Sequence, residues 1–460
     1  MTQLHDGPRA PQLLQLIQWI ADPFAYLDAN AKRYGETFTV RFSNWQPMVF
    51  FSHPQANQEI FMGGYDAFTA GSSNGILRPL VGDNSLLLLD GDRHKRERKL
   101  LMPPFHGERL QSYGRMIQEI AENAAQQLVP GKTFIARDLM QEITLQVIMQ
   151  AVFGLREGER YAQLKPLLAS ILEITNSPLR SSFIFFDFLQ KDWGSWSPWG
   201  RMLLQQRKIE ALLQEEINER RDRSQSDRED ILSLMMQARD EDGNPMSDRE
   251  LLDELMTLLF AGHETTATAL AWAMYWVHFL PEVGAKLLAE LETAGNNIEA
   301  IEIAKLPYLN AFCNETLRIY PVAIISAPRV ALKPVQVMGQ RYSAYTPLVP
   351  CIYLTHRRED LYPEPEQFKP ERFLERQYTV YEFVPFGGGN RRCIGYALAL
   401  LEMKLVLATL LSHCEFELAD NKPVKPERRG VTMTPAGGVR VKLKRTRDRN
   451  RQLDAMSLVT

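Results

Sequence analysis

The residues best suited to chemistry surround a single cysteine in the segment 383–411. Cys393 stands just before a nearly all-apolar predicted helix and follows three glycines, Gly387 to Gly389. A cysteine at a helix N-terminus feels the positive end of the helix dipole and nearby amide donors, and both favour its thiolate. Arg391 could clamp an anionic group beside the sulfur, and Phe386 could pack against a flat cofactor. A buried structural cysteine after a flexible turn stays open, whereas the glycine spacing fits neither common phosphate-loop pattern.

A second candidate site is a stripe of small and hydroxyl-bearing residues on the apolar segment Leu255–Leu280. Its members recur at helical spacing and are Thr257, Ala261, Thr265 and Thr268. We expect the Thr265 hydroxyl to bond back to the carbonyl of Ala261 and to bend the helix locally, while Gly262 leaves room for a planar group. Glu264 is a carboxylate among apolar neighbours, which is unfavourable unless it is paired or exchanges protons. The alternative is that the threonines only satisfy a crowded buried helix.

Two charged patterns lie upstream of these segments or between them. Glu315 and Arg318 stand i, i+3 on one helical face, a spacing that alone is more typical of a surface ion pair. His94 and Arg98 stand i, i+4 on a basic predicted helix. The other basic residues of that helix are Arg93, Lys95, Arg96 and Lys99. Such a run is most often a solvated face, but it could also form a docking surface for an acidic protein.

Mostly helices must position these residues. Helical patterning covers 92–320 and 395–412, and no internal repeat or linker divides the chain. Strand patterning occurs at 36–41, 47–51, 348–354, 415–418 and 438–443, with Asn44 between the first two strands. We therefore predict a mainly α protein with a small β part (α+β), folded as one intertwined domain. Its predicted parts are an N-terminal segment 1–29, a main domain 30–445 and a frayed tail 446–460, and the basic run 440–451 is expected to be solvated.

Composition excludes several functional classes. With 53 Lys+Arg against 56 Asp+Glu in 460 residues, the net charge of −3 gives no reason to expect nucleic-acid binding. Four scattered cysteines form neither a disulfide framework nor a zinc pattern, and they fit a reducing compartment. The N-terminus has no signal-peptide layout and no apolar run of spanning length. Leu255–Leu280 is interrupted by charge and is predicted to be a buried helix of a soluble protein.

The cysteine segment resembles the haem-binding signature of the cytochrome P-450 superfamily, F-x-x-G-x-R-x-C-x-G. Its residues here are Phe386, Gly389, Arg391, Cys393 and Gly395. Further family elements follow in the expected order. They are A-G-x-[DE]-T-T at Ala261–Thr266, E-x-x-R at Glu315–Arg318 and P-E-R-F at Pro370–Phe373. The resemblance covers about residues 30–445 and implies the P-450 fold, with haem between a long central helix and the cysteine loop.

The resemblance assigns roles to individual residues. It implies that Cys393 is the thiolate ligand of haem b (heme b, iron protoporphyrin IX) and that Glu264 and Thr265 serve oxygen activation. His94, Arg98 and Arg329 are implied partners of the haem propionates, and His263 is not expected to bind iron. Glu315, Arg318 and Arg372 are expected to form a buried network beneath the cysteine loop.

The implied activity is that of an O2-dependent monooxygenase acting on a lipophilic substrate, most closely a long-chain fatty acid or terpenoid. Electrons are expected from a separate ferredoxin or flavodoxin with its reductase, in the cytoplasm, and the N-terminal stretch leaves peripheral membrane contact open. Apolar segments at 76–89, 183–189, 322–327 and 433–438 are candidate pocket walls, with Arg78 as a carboxylate anchor. Competing interpretations are a peroxide-using or isomerising haem-thiolate enzyme, a haem-binding sensor or carrier, and a haem-free protein.

Overall fold

The structure is a computed structural model that describes residues 4–42, 45–107, 109–176, 190–223, 228–295 and 298–447. Helices make up most of it, as the sequence predicts. In chain order they are α1 Gln12–Ala21, α2 Pro23–Tyr34, α3 Pro54–Met62, α4 Gly64–Ala67, α5 Arg78–Val81, α6 Gly91–Leu101, α7 Arg109–Gln127, α8 Ala136–Ala151, α9 Glu159–Asn176, α10 Pro198–Arg223, α11 Ile231–Gln237, α12 Asp248–Phe279, α13 Pro281–Ala294, α14 Ala300–Ile303, α15 Pro307–Ile319, α16 Ile352–His356, α17 Arg372–Glu375 and α18 Tyr396–His413.

The strands form small sheets at the edge of the helical body. They are β1 Thr37–Val40, β2 Met48–Phe51, β3 Phe68–Thr69, β4 Thr133–Ile135, β5 Arg329–Ala331, β6 Val335–Val337, β7 Gln340–Tyr342, β8 Pro347–Pro350, β9 Cys414–Leu418, β10 Pro426–Arg429, β11 Thr432–Pro435 and β12 Arg440–Thr446. The largest sheet has the order β1-β2-β8-β5-β3, and β2 and β8 are its parallel pair. Early and late strands share this sheet, so the chain is intertwined as predicted.

Helix α12 is the long central element, and its sequence explains its start. Ser247 caps it by accepting a hydrogen bond from the Glu250 amide, and the Glu250 carboxylate accepts one from the Ser247 amide, a capping box. Beyond the first turn the helix is buried nearly throughout and packs against α8 and α18. The segment Leu255–Leu280 is therefore a buried helix, as predicted.

One described helix, α18, has the length and apolar composition to cross a membrane, and 56% of it is buried inside the protein. This helix packs against α7, α12 and α15. Most of its apolar residues are therefore part of the hydrophobic core.

Two sequence predictions about strands are corrected. Residues 352–354 were expected to continue a strand, but they begin α16 after β8 ends at Pro350. The basic run from Arg440 was expected to be a solvated end, but residues 440–446 form β12, which matches the strand predicted at 438–443 and pairs with both β4 and β9. The acidic partners of β12 come from distant residues. They are Asp420 for Arg440, Glu417 for Lys442 and Glu415 for Lys444 and Arg445. The sequence turn at Asn44 lies outside the described residues.

The loop between α5 and α6 is fastened to α12 by two neighbouring carboxyl groups. Asp253 Oδ2 accepts hydrogen bonds from the backbone and side-chain nitrogens of Asn84, both at 2.9 Å. Gly82, with φ +79°, leaves room for that carboxylate, since a Cβ there would lie 2.1 Å from Asp253 Oδ1. Glu254 Oε1 accepts a hydrogen bond from the Leu86 amide at 2.6 Å. Glu254 is fully buried, and burial raises its pKa well above the usual range.

We predict that Glu254→Gln stabilises the protein progressively as pH rises. A carboxyl whose pKa is raised by folding contributes its full stability below its unfolded pKa, about 4.3, and loses it as pH rises toward the folded value. Glutamine keeps the Leu86 acceptor without ionising. Urea unfolding of both proteins should agree near pH 4 and diverge by at most about 1.4 kcal/mol per pH unit above it.

The exposed Glu119→Gln, on α7, is the matched control and should follow the wild type at every pH. An E254Q stability gain that does not change between pH 4 and 8 would contradict a buried, uncharged Glu254.

Candidate active site

Glycines shape the loop that carries Cys393. Gly387 and Gly389 have φ values of +65° and +63°, a region that side chains disfavour. A Cβ on Gly388 would lie 2.2 Å from the Phe61 ring, and one on Gly389 would lie 2.1 Å from the Phe61 carbonyl oxygen. The Cys393 amide then donates to the Phe386 carbonyl at 3.0 Å. The loop therefore presses closely against α3 and delivers the cysteine to the start of α18.

Cys393 faces an internal space. Its side chain has accessible surface, yet it is enclosed enough that burial raises the pKa of its thiol. The Gly395 amide acts in the opposite direction, as the sequence predicts for an amide at the helix start. The cations Arg98 and Arg392 also act in that direction, but burial outweighs all three. A metal cation at the sulfur would reverse the balance, because a coordinating thiol loses its proton.

The opposite wall of this space is the middle of α12. On this buried helix Ala261 is exposed, and Phe260, Gly262 and Thr265 are partly accessible. The first residues of α18, 396–400, are also partly accessible, whereas 401–411 are buried except for Lys404. Since α12 packs against α18, we infer that the accessible parts of the two helices border one internal gap. The Thr265 hydroxyl donates to the Ala261 carbonyl at 2.5 Å, the back-bond that the sequence predicts.

Glu264, next to Thr265, is tied to α8. Its Oε1 accepts from Arg137 Nη2 at 2.6 Å and its Oε2 from Gln141 Nε2 at 2.8 Å. Both charged side chains are buried. Glu264 is thus a paired ion, which meets the requirement that the sequence raised for a carboxylate in this apolar helix.

His263 also faces α8. Its Nε2 lies 3.0 Å from the Gln141 carbonyl oxygen, and burial lowers its pKa. Gln141 therefore meets both His263 and Glu264 on the side of α12 that packs against α8, and this arrangement agrees with the prediction that His263 is not a metal ligand.

A cluster of basic side chains forms from three separate segments. His94 and Arg98 come from α6, Arg329 from β5 and Arg391 from the cysteine loop. Burial and mutual repulsion lower the pKa of His94 to about 3 and that of Arg329 to about 9. Burial also lowers the pKa values of Arg98 and Arg391. The cluster is therefore desolvated, and its guanidinium groups favour an anionic partner.

Within the described residues, Asp90 is the one carboxylate paired with this cluster. It binds Arg391, which also donates to the carbonyls of Leu86 and Leu89. Arg329 donates to the carbonyls of Ala327 and Gly388, and Arg98 has no protein acceptor there. Three guanidinium charges against one carboxylate leave a net charge of +2. A ligand with two carboxylates would balance it.

The network beneath the cysteine loop has the form that the sequence predicts. Arg318 grips both carboxylate oxygens of Glu315 at 2.6 and 2.8 Å, and Arg372 adds a bond at 3.1 Å. All three side chains are buried. The connection to the loop runs through His356, whose carbonyl accepts from Arg318 and whose Nε2 accepts from the Val384 amide at 2.9 Å.

The last link to the glycines is the Val384 carbonyl, which accepts from the Gly387 amide at 3.0 Å. The Glu315 network is thereby joined to the cysteine loop by consecutive hydrogen bonds, so a change in its charges is expected to reach the loop.

The remaining predicted contacts have different outcomes. Phe386 lies 6.1 Å from Tyr396, centroid to centroid, and is partly accessible. Arg78 is largely exposed and pairs with Asp83, which removes the support for its role as a carboxylate anchor. Met433 lies in the core, where its carbonyl accepts from Trp272, so it does not line a pocket. The candidate wall at 183–189 lies outside the described residues.

Comparison with known proteins decides the family. The family model for Cytochrome P450 matches residues 5–443. The chain belongs to the cytochrome P450 family. Cytochrome P450 135B1 and cytochrome P450 138 of Mycobacterium tuberculosis are 36% and 32% identical to it, each over 97% of this chain and over 92% and 97% of their own lengths.

A solved P450 has the same architecture. The structure of cyanobacterial CYP120A1, with bound retinoic acid, matches with a TM-score of 0.84 at 26% identity. The match covers 97% of this chain and 100% of that one. The predicted family and the mainly α fold are confirmed.

As a P450, the protein is a haem-thiolate monooxygenase that uses haem b, O2, an organic substrate and a redox partner. The described residues fit this cofactor. The +2 cluster matches its two propionates, the gap bordered by Ala261 and the start of α18 is lined by small and apolar residues, and the accessible Cys393 sulfur can act as a metal ligand.

Several residues of the site escaped the sequence analysis. Arg137, Gln141, Asp90, Tyr65 and His356 all contact a residue that the motifs identified. None stands in a motif, and each is separated from its partner by 29 to 301 residues of chain.

We predict that Arg372→Met lowers the free energy of unfolding by about 3–5 kcal/mol, because it leaves part of a buried ionic network without its partner. Arg376→Met, one helical turn away, is the control. Arg376 is half-exposed and pairs with Glu382, so its loss should change stability by about 0–1 kcal/mol. Equal stability losses in urea titrations of the two variants would contradict a special role for the network.

Proposed function

We propose that Cys393 binds the haem iron as a thiolate, and that His94, Arg98 and Arg329 hold the propionates within a haem domain that spans residues 30–445. The net charge of +2 in the cationic cluster is the observation that carries this assignment. Arg391 also faces the propionate region, but its contacts with Asp90, Leu86 and Leu89 make it chiefly a brace for the loop. Phe386 is proposed to pack against the macrocycle from the cysteine side.

When bound, haem supplies the oxidising power that inserts one atom of O2 into a C–H bond. The chain supplies charge and protons. Cys393 contributes negative charge on one side, and Thr265 holds a hydroxyl proton at the opposite wall, where it now donates to the Ala261 carbonyl. Glu264 is the proposed proton carrier. Arg137 and Gln141 each donate a hydrogen bond to one oxygen of Glu264. Glu264 must break at least one of these two hydrogen bonds before it can exchange a proton with Thr265 or solvent.

The presence of both Glu264 and Thr265 favours an O2-dependent enzyme over a peroxide-using or isomerising one, which does not need this pair. A sensor or carrier would also not need it. Catalytic turnover with a surrogate ferredoxin and reductase distinguishes these alternatives.

We further propose that electrons come from a separate ferredoxin or flavodoxin that docks at the basic helix α6. Two of the basic residues on α6 are already paired with carboxylates of the protein, Arg96 with Asp240 and Lys99 with Glu241, so fewer remain for a partner. Among the described residues, Arg93 and Lys95 form no salt bridge, although Lys95 helps to lower the pKa of Glu241, and these two are the proposed contacts for an acidic partner. The proposed location is the cytoplasm, with peripheral membrane contact through the exposed Leu13, Leu14 and Ile17 of α1 as the alternative.

The proposed substrate is a lipophilic compound, a long-chain fatty acid or a terpenoid. Apolar side chains border the gap at Phe260 and Ala261, and Leu87, Leu88 and Ile325 are partly accessible in the candidate wall segments. The structural likeness to CYP120A1 supports this class, because retinoic acid combines an isoprenoid chain with a carboxylate.

Substrate class is tested by titrating the holoprotein with fatty acids, linear terpenoids and retinoids and recording the haem spectrum. A true substrate should displace water from the iron, change the spin state, and yield a hydroxylated product when electrons are supplied. Polar aromatic compounds of similar mass serve as controls. A spin-state change and product with those controls, and none with any lipid, would contradict the proposal.

We predict that Thr265→Ala separates electron use from product formation. Loss of the hydroxyl should lower the product formed per electron by about tenfold or more and divert electrons to hydrogen peroxide. Thr265→Ser should restore coupling. Thr266→Ala is the control, because Thr266 is buried on the same helix. Equal coupling in T265A and the wild type would refute the role of Thr265.

A further inference from the structure

Tyr65 and His94 form a hydrogen-bonded pair beside the cationic cluster. Tyr65 Oη lies 2.8 Å from His94 Nδ1, and the ring centroids are 5.5 Å apart. The turn before Tyr65 is shaped for this contact. Gly64 has φ +68°, and a Cβ on Gly63 would lie 2.2 Å from the Phe68 ring, so both positions require glycine.

His94 is uncharged at ordinary pH. Burial, together with Arg391, Arg98 and Arg329, lowers its pKa to about 3, although Asp90 acts in the opposite direction. A neutral imidazole carries one N–H and one lone pair, and the partner of one nitrogen decides which nitrogen keeps the proton. The contact at Nδ1 therefore decides what Nε2 can offer.

The direction of the hydrogen bond follows from the partners at hand. Within the described residues, Tyr65 Oη has no acceptor other than His94 Nδ1, and His94 Nε2 has no protein partner. If Nδ1 held the proton, the phenol hydrogen would lack a protein acceptor, and the lone pair of Nε2 would be offered to a carboxylate, which repels it. If Tyr65 donates to Nδ1, the phenol hydrogen has an acceptor and Nε2 keeps a proton that it can donate to a carboxylate.

We propose that Tyr65 sets the tautomer of His94: its hydroxyl donates to Nδ1, so that Nε2 keeps the proton and donates it to a haem propionate. This inference rests on the proposed contact between His94 and the propionate. Tyr65 is accordingly a positioning residue, which acts through His94.

The charges of the cluster agree with this arrangement. Asp90 offsets Arg391, so Arg98 and Arg329 remain to balance two propionates. A neutral His94 adds a hydrogen-bond donor without adding a third uncompensated charge in a buried place. A protonated His94 would leave the haem-bound cluster with a net positive charge.

The test measures haem loss from the holoprotein to an excess of apomyoglobin. Tyr65→Phe should accelerate haem loss by about tenfold, as expected for the loss of one hydrogen bond to a charged group. Tyr345→Phe, at a 67% exposed tyrosine, is the control and should match the wild type.

His94→Gln separates tautomer control from a structural role, because an amide NH2 donates whether or not Tyr65 is present. Y65F should therefore change the rate by less than about twofold in the H94Q background. An equal acceleration in both backgrounds, or failure of both Y65F proteins to retain haem, would show that Tyr65 only supports the fold and would overturn the inference.

His94→Ala distinguishes the inference from the proposal beneath it. If H94A accelerates haem loss but Y65F does not, His94 holds the propionate and the inference about Tyr65 alone is wrong. If H94A leaves the rate unchanged, the proposed propionate contact fails, and the role of Tyr65 fails with it.

Discussion

The Cys393 sulfur lies where a negative charge needs a positive partner. Burial raises the pKa of its thiol despite the Gly395 amide and two nearby cations, so a positive charge beside the sulfur would favour the thiolate. In the proposed haem complex, the metal cation at the sulfur would supply the missing charge, and the thiolate would add negative charge to the metal. The remaining features of the site keep this sulfur in one place and prepare the space beside it.

Two sets of hydrogen bonds fix that place. From below, the buried Glu315–Arg318 pair reaches the glycine loop through His356 and Val384. From the side, Leu86 links the two walls of the gap, since its amide donates to Glu254 of α12 and its carbonyl accepts from Arg391 of the cysteine loop. The loop that contains Leu86 is thus hydrogen-bonded to both the cysteine loop and α12. Hydrogen bonds within the protein therefore set the distance between the two walls.

Features formed by neighbouring residues could be predicted from the sequence, whereas contacts between residues far apart in the chain could not. The cysteine loop, the Thr265 back-bond and the Glu315–Arg318 pair are local patterns, and the structure has all three. The bond from Arg137 to Glu264 spans 127 residues and has no local signature. The effect of the helix start on the Cys393 thiol can be read from the sequence, whereas the larger effect of burial depends on the whole fold. The strand predicted at 438–443 is present as β12, but its pairing with the distant strands β4 and β9 has no local signature.

The most direct test of thiolate ligation is the absorption spectrum of the reduced, carbon-monoxide-treated holoprotein. The account predicts the long-wavelength Soret band of thiolate-ligated haem in the wild type, and its loss in Cys393→Ser under conditions where the fold is retained. Cys351→Ser, at a buried cysteine remote in sequence from the loop, should keep the band. An imidazole-type spectrum in the wild type, or an unchanged band in C393S, would contradict the account.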